Sequence, residues 1–292
     1  MAVAYGSIAS AAGENTNTLT ITKPSSLAAG DMMVAMLINR GGPQWDTPSG
    51  WTAKGTVNVS NQYMACFAKV ASAGDAAATD FSFTFSGGGT RESVGILVRL
   101  TGTFTDASNV TGSTTDTDAT PDANDNFVFS NTSLSPIANA FLVAAAGSEA
   151  TNASTTTACT ISVATSNPTW TERAFQGQPN GDDVVISLST ASRPETTDIG
   201  ATTADFNSTG NLSNGTCIVV AVHETANASV SPAVVTLTGA VQAPTVAGDA
   251  NVSPSVVTMT GTIQAPTVTT GSPKWSNTDK SSAGSVTNPD KS

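Results

Sequence analysis

Phe81-Ser82-Phe83-Thr84-Phe85 alternates ring and hydroxyl without a break. At the two-residue period of an extended chain, three rings fall on one face and two hydroxyls on the other, the pattern of a half-buried strand. Ten residues on, Gly95-Ile96-Leu97-Val98 is apolar throughout, and so is Cys217-Ile218-Val219-Val220-Ala221-Val222. Such runs suit central strands covered on both faces or lying across an interface. Thirteen strands are expected between clusters of Gly, Asn, Asp and Pro: Thr18–Thr22, Met32–Ile38, Trp51–Val59, Tyr63–Val70, Phe81–Phe85, Ser93–Leu100, Phe127–Ser130, Phe141–Ala146, Ala158–Val163, Trp170–Phe175, Val184–Ser189, Ile199–Phe206 and Thr216–His223. No run reads as a long amphipathic helix.

Composition agrees with an all-β chain. Only 11% of the 292 residues are charged, against about 25% in an ordinary soluble domain. The 46 Thr and 34 Ser take the places where Lys, Glu and Arg usually stand, and both are mediocre helix formers. A net charge of −11 repels phosphate backbones, and between Lys69 and Lys274 the only cations are four scattered Arg. Nucleic acid and anionic membrane surfaces are therefore not expected as partners. The first ten residues lack the basic and apolar regions of a secretory signal. Cys66, Cys159 and Cys217 have no CxxC spacing and read as buried free thiols, in keeping with synthesis in a reducing cytoplasm.

The order of features repeats. Met32–Ile38, Trp51-Thr52, Met64–Val70, Phe81–Phe85 and Gly95–Leu100 are followed by Phe141–Ala146, Trp170-Thr171, Val184–Leu188, Ile199–Phe206 and Cys217–Val222. The expected fold is all-β: a jelly-roll-like two-sheet sandwich over residues 1–225, built of two similar halves at about 1–105 and 126–225, joined by an acidic loop at 106–125.

Beyond residue 225 lies a true tandem repeat. Residues 230–246, VSPAVVTLTGAVQAPTV, match residues 252–268, VSPSVVTMTGTIQAPTV, at 13 of 17 positions. Each unit of the 226–270 stalk offers a short strand near Val234–Thr238, a turn at Gly and a second extended piece. Two such units cannot bury their own apolar faces, so Val234, Val235, Leu237, Val256, Val257 and Met259 are assembly candidates. Residues 271–292 read as an extended tail, with Trp275 as a further assembly contact.

Chemistry is sparse. The single histidine, His223, has no nucleophile motif to serve, and neither it nor the dispersed cysteines have zinc-ligand spacing. Glu92, Glu149, Glu172, Glu195 and Glu224 form no recognisable glycosidase pair. Asp116, Asp118, Asp122 and Asp125 could gather oxygen ligands for Ca²⁺, although their spacing is not that of an EF-hand. Trp45, in Gly41-Gly42-Pro43-Gln44-Trp45-Asp46, reads as an exposed loop aromatic able to stack on a sugar ring. The loop Phe175–Asp182 would share that role. No catalytic residue and no cofactor is expected.

Gly30-Asp31-Met32-Met33-Val34-Ala35, Pro48-Ser49-Gly50-Trp51-Thr52, Lys69-Val70-Ala71, Gly74-Asp75 and the Phe81–Phe85 strand together resemble a β-sandwich domain of tailed-bacteriophage virion proteins, of minor-tail, tail-fibre or head-decoration type. The likeness covers about residues 1–225. Lys274-Trp275-Ser276-Asn277-Thr278-Asp279-Lys280-Ser281-Ser282 is similar to the tails of phage structural proteins, and the repeats resemble fibre-shaft units. The resemblance implies a non-enzymatic structural protein of the virion, made in the host cytoplasm. Its expected partners are its own copies, as a homotrimer, and other virion proteins. The alternative is a tail-fibre or adhesin module that binds a host receptor or surface glycan.

Overall fold

The computed structural model describes residues 2–87, 89–120, 126–130, 134, 139–150, 158–163, 168–178, 183–193, 199–206, 212–225, 235–241 and 257–263. The chain divides into two compact units, Met1–Thr225 and Ala226–Ser292.

The alternating and continuous runs of the first half become seven strands: β1 (Ala4–Thr16), β2 (Thr18–Thr22), β3 (Met32–Arg40), β4 (Thr52–Val59), β5 (Gln62–Val70), β6 (Asp80–Thr84) and β7 (Arg91–Thr101). They pair antiparallel in a nested order, β1 with β7, β2 with β6 and β3 with β5, while β4 closes beside β5. This nesting is jelly-roll-like. A five-stranded sheet, β1-β7-β3-β5-β4, is covered on its outer face by the two-stranded β2-β6.

The second half repeats the topology. Its strands are β8 (Val110–Asp118), β9 (Asn126–Phe129), β10 (Ala140–Ala150), β11 (Cys159–Val163), β12 (Thr171–Gly177), β13 (Asp183–Arg193), β14 (Thr202–Phe206) and β15 (Leu212–Val222). The five-stranded sheet β8-β15-β10-β13-β12 matches the first sheet position for position, and β9-β14 takes the place of β2-β6. The added strand β11 pairs with β14. Its counterpart in the first half has shrunk to one bridge, Trp45 to Phe85.

Three cores follow from this layering. Met32, Val34, Met36, Ile38, Ile96 and Val98 meet Val143, Ile186, Ile218 and Val220 between the two large sheets. On the outer faces, Leu19, Ile21, Phe81 and Phe83 pack on Met33, Leu37, Trp51 and Phe67, and Phe127, Phe129 and Phe206 pack on Leu142, Val185 and Val219. Each large sheet is thus buried on both sides, which is why its central strands are apolar throughout. Phe83, Phe127 and Phe206 are almost wholly buried, each worth roughly 1.5–3 kcal/mol.

All thirteen expected strands are present. Two more, β1 and β8, were not anticipated, and β8 corrects the expected 106–125 loop. Within it, Ala107–Asn109 forms one 3-10 turn and Val110–Asp118 then pairs with β15, while residues 121–125 lie outside the described residues. Alternating Thr and Asp side chains are tolerated there because β8 lies at a sheet edge. The second half therefore starts near residue 110.

In the second unit, β16 (Val235–Val241) and β17 (Val257–Ile263) pair antiparallel. The strands run through Gly239 and Gly261, where a turn was expected. Gly239 stands opposite Met259 and Leu237 opposite Gly261, so in both cases glycine faces a bulky residue type. Thr238 pairs with Thr260, its own counterpart one repeat later. The two repeats are related by a local twofold axis at that pair.

Candidate functional site

The residues behind the phage-protein resemblance hold the backbone. Gly30 takes φ +94°, open to glycine without strain. Asp31, 8% exposed, accepts from the Ala28 amide at 2.7 Å and from Arg99 Nε at 2.6 Å. Pro48–Trp51 is a β-turn, with Trp51 N–H donating to the Pro48 carbonyl and Gly50 at φ +78°. Ser72 and Asp75 form a capping box on the short helix α1 (Ala73–Ala77), and Lys69 Nζ donates to Asp75 Oδ1 at 2.7 Å. Burial raises the Asp75 carboxyl, but the hydrogen bonds from Lys69 and Ser72 outweigh it and leave it below the ordinary carboxylate value. The motif fixes turns and a cap.

Trp45 is not an exposed aromatic. It is 2% exposed and stands edge-on to Phe85, with ring centroids 5.0 Å apart. The bridge to Phe85 carries it under the β2-β6 sheet into the outer core of the first half. A ring held there cannot stack on a sugar. The expected Phe175–Asp182 loop is corrected at its start: Phe175–Gly177 is the end of β12, paired with β13, with Phe175 half-buried; Gln178 is 5% exposed, and residues 179–182 lie outside the described residues.

Of the Ca²⁺ candidates, Asp116 and Asp118 sit on β8, and Asp122 and Asp125 lie outside the described residues. Asp118 Oδ2 accepts from the Val128 amide at 2.9 Å and Oδ1 from the Thr120 amide at 3.0 Å. Among the described residues no group of three or more His, Cys, Asp or Glu could hold a metal. Of the assembly candidates, Val235 and Leu237 lie on β16 and Val257 and Met259 on β17, while Val234, Val256 and Trp275 lie outside the described residues.

The described carboxylates are dispersed, and three of the candidates are held by neighbours. Glu149 accepts from Arg40 Nε at 2.8 Å, tying the two halves together at the end of their central strands. Glu172 accepts from the Cys159 amide and the Ser187 hydroxyl, so it anchors β11 to the large sheet. Glu224 accepts from the Thr103 amide, and Glu195 lies outside the described residues. His223 Nδ1 is 3.3 Å from Thr111 Oγ1, and burial lowers its pKa below the ordinary value. All three cysteines are free and buried. Burial pushes the Cys66 thiol up to about 12 and raises the other two as well, the reverse of an activated nucleophile.

Two open clefts are polar. One, of about 360 Å³, is lined by Phe141, Thr169, Thr171, Arg173, Thr190 and Ser192. The other, of about 320 Å³, is lined by Arg40, Gly41, Asn61, Arg91 and Glu92. Neither sets a nucleophile beside a base. Sequence reasoning missed the two Arg contacts that join the halves. Arg173 lies 4.2 Å from the Tyr5 ring centroid and donates to Thr190 Oγ1, and Arg40 meets Glu149. Their partners lie 168 and 109 residues away, and no local signal marks them.

Comparison with protein-family models, curated proteins and solved structures gives no match.

Proposed function

We propose that the protein is a non-enzymatic structural component of a bacteriophage virion. In this reading the 1–225 sandwich is displayed on the particle, as a head decoration or a tail component, and the repeats and tail of residues 226–292 attach it to its own copies and to other virion proteins. The observation that carries it is the second unit. Two near-identical repeats form a single two-stranded sheet, and a lone pair of strands is marginally stable in water. Such an element gains stability from neighbouring chains, and homotrimerisation is the arrangement we assign to it. The resemblance of the first unit to phage β-sandwich domains points the same way, as does the low charge, since burying Ser, Thr and Ala against a neighbour costs less desolvation than burying Lys or Glu.

Deleting residues 228–292 tests this division of labour. The truncated chain is expected to keep the β circular dichroism and cooperative melting of the sandwich while failing to join particles in a complementation assay. A truncated chain that still assembles would sink the proposal.

A further inference from the structure

We propose that the open cleft beside Arg173 binds an acidic sugar, a uronate unit of a polysaccharide, with the sugar's carboxylate on the Arg173 guanidinium and its hydroxyls on Thr169, Thr171 and Ser192. The site belongs to the first unit and does not depend on the virion reading.

The position occurs twice in the sequence. Trp51-Thr52-Ala53-Lys54 and Trp170-Thr171-Glu172-Arg173 lead into β4 and β12, which hold matched places in the two large sheets. Each strand has a register shift at its cation, between Ala53 and Gly55 and between Glu172 and Ala174. Such a bulge re-aims the side chain of the extra residue. The two cations then meet different surroundings. Lys54 lies near an acid: hydrogen bonds from Ser108 and, more weakly, the Lys54 charge hold the Asp106 carboxyl below its ordinary value. Arg173 has no carboxylate within ion-pair distance among the described residues. The adjacent Glu172 is engaged elsewhere, accepting from the Cys159 amide and the Ser187 hydroxyl.

Arg173 is fixed nonetheless. Its Nε donates at 2.8 Å to Oγ1 of Thr190, which is 1% exposed, and its guanidinium lies 4.2 Å from the Tyr5 ring centroid. Those contacts leave the paired Nη groups to donate, the fork that matches a carboxylate. They also set its direction before a ligand arrives, which lowers the ordering cost of binding. The rest of the lining is neutral. Thr169, Thr171 and Ser192 are exposed hydroxyls, able both to donate and to accept, and Phe141 adds an apolar face. The volume of about 360 Å³ is within the usual range of small-ligand sites. A bare carboxylate would use the arginine alone, whereas a sugar acid uses the hydroxyls as well. The second polar cleft lacks this character, because Glu92 is part of its lining and its Arg40 is paired with Glu149.

The test titrates the full chain with sodium glucuronate, glucose and acetate by saturation-transfer NMR. Glucuronate is expected to bind at least about tenfold more tightly than either of the others. Arg173→Gln should bring glucuronate to the level of glucose, while Arg173→Lys, which keeps the charge without the fork, should fall between. Arg91→Gln in the second cleft should change nothing. Circular dichroism melting checks that each variant folds. Thr171→Val, at an exposed position, should weaken glucuronate and spare acetate, so the site stays testable if Arg173→Gln does not fold. Glucuronate binding that is absent, unaffected by Arg173→Gln or Thr171→Val, or no tighter than that of acetate would overturn the proposal.

Discussion

His223 ends a strand in the core of the second half, and burial holds its imidazole below the ordinary value of 6.5. A base with a lowered folded-state pKa binds fewer protons folded than unfolded, so stability should fall as pH drops through about 6.5. Asp75, lowered from 3.8, works in a separate window: its contribution is present above that value and is lost only below it. Urea unfolding between pH 7.5 and 5.5 is therefore expected to show declining stability that His223→Asn abolishes. An unchanged slope in the variant would mean that other groups carry the effect. Trp45 teaches the opposite lesson at the same scale. Its neighbours Gly41, Gly42, Pro43 and Asp46 all read as loop, and the partner that buries it, Phe85, lies 40 residues away.

Among the elements, those with their own signal were legible. Rings alternating with hydroxyls placed β6, and continuous apolar runs placed β3, β7, β10 and β15. The strands that were missed, β1 and β8, are the matched edges of the two large sheets, rich in Ala, Gly, Ser and Thr. An edge strand needs only one paired neighbour and little burial, so selection leaves a weak pattern in it. Contacts between elements of the two halves were not legible at all. Ile38 on β3 lies against Gly147 on β10, where a Cβ would come within 2.7 Å of Ile38 Cδ1 and 3.0 Å of the Val185 carbonyl oxygen. Gly147→Ala is expected to cost about 1–3 kcal/mol by overpacking. Adding Ile38→Val should recover part of that loss, because it removes the nearer clash. Strictly additive effects in the double variant would show that the two positions do not touch.

Across the whole molecule, the duplicated order of features in the sequence corresponds to two halves of one topology packed through their large sheets. Ile38 and Gly147, like Arg40 and Glu149, lie 109 residues apart at matched places on the central strands. At both places the residues differ and are complementary, large against small and cation against anion, so each half needs the other. In the proposed reading, association falls to the charge-poor exterior and to the repeats and tail of residues 226–292. We propose that those surfaces serve a particle. A density map of intact virions, read together with their protein composition, tests it most directly. This chain is expected there in multiple symmetric copies, with residues 226–292 in contact with other chains. Virions that lack the chain, or that carry it with residues 226–292 free of any neighbour, would contradict it.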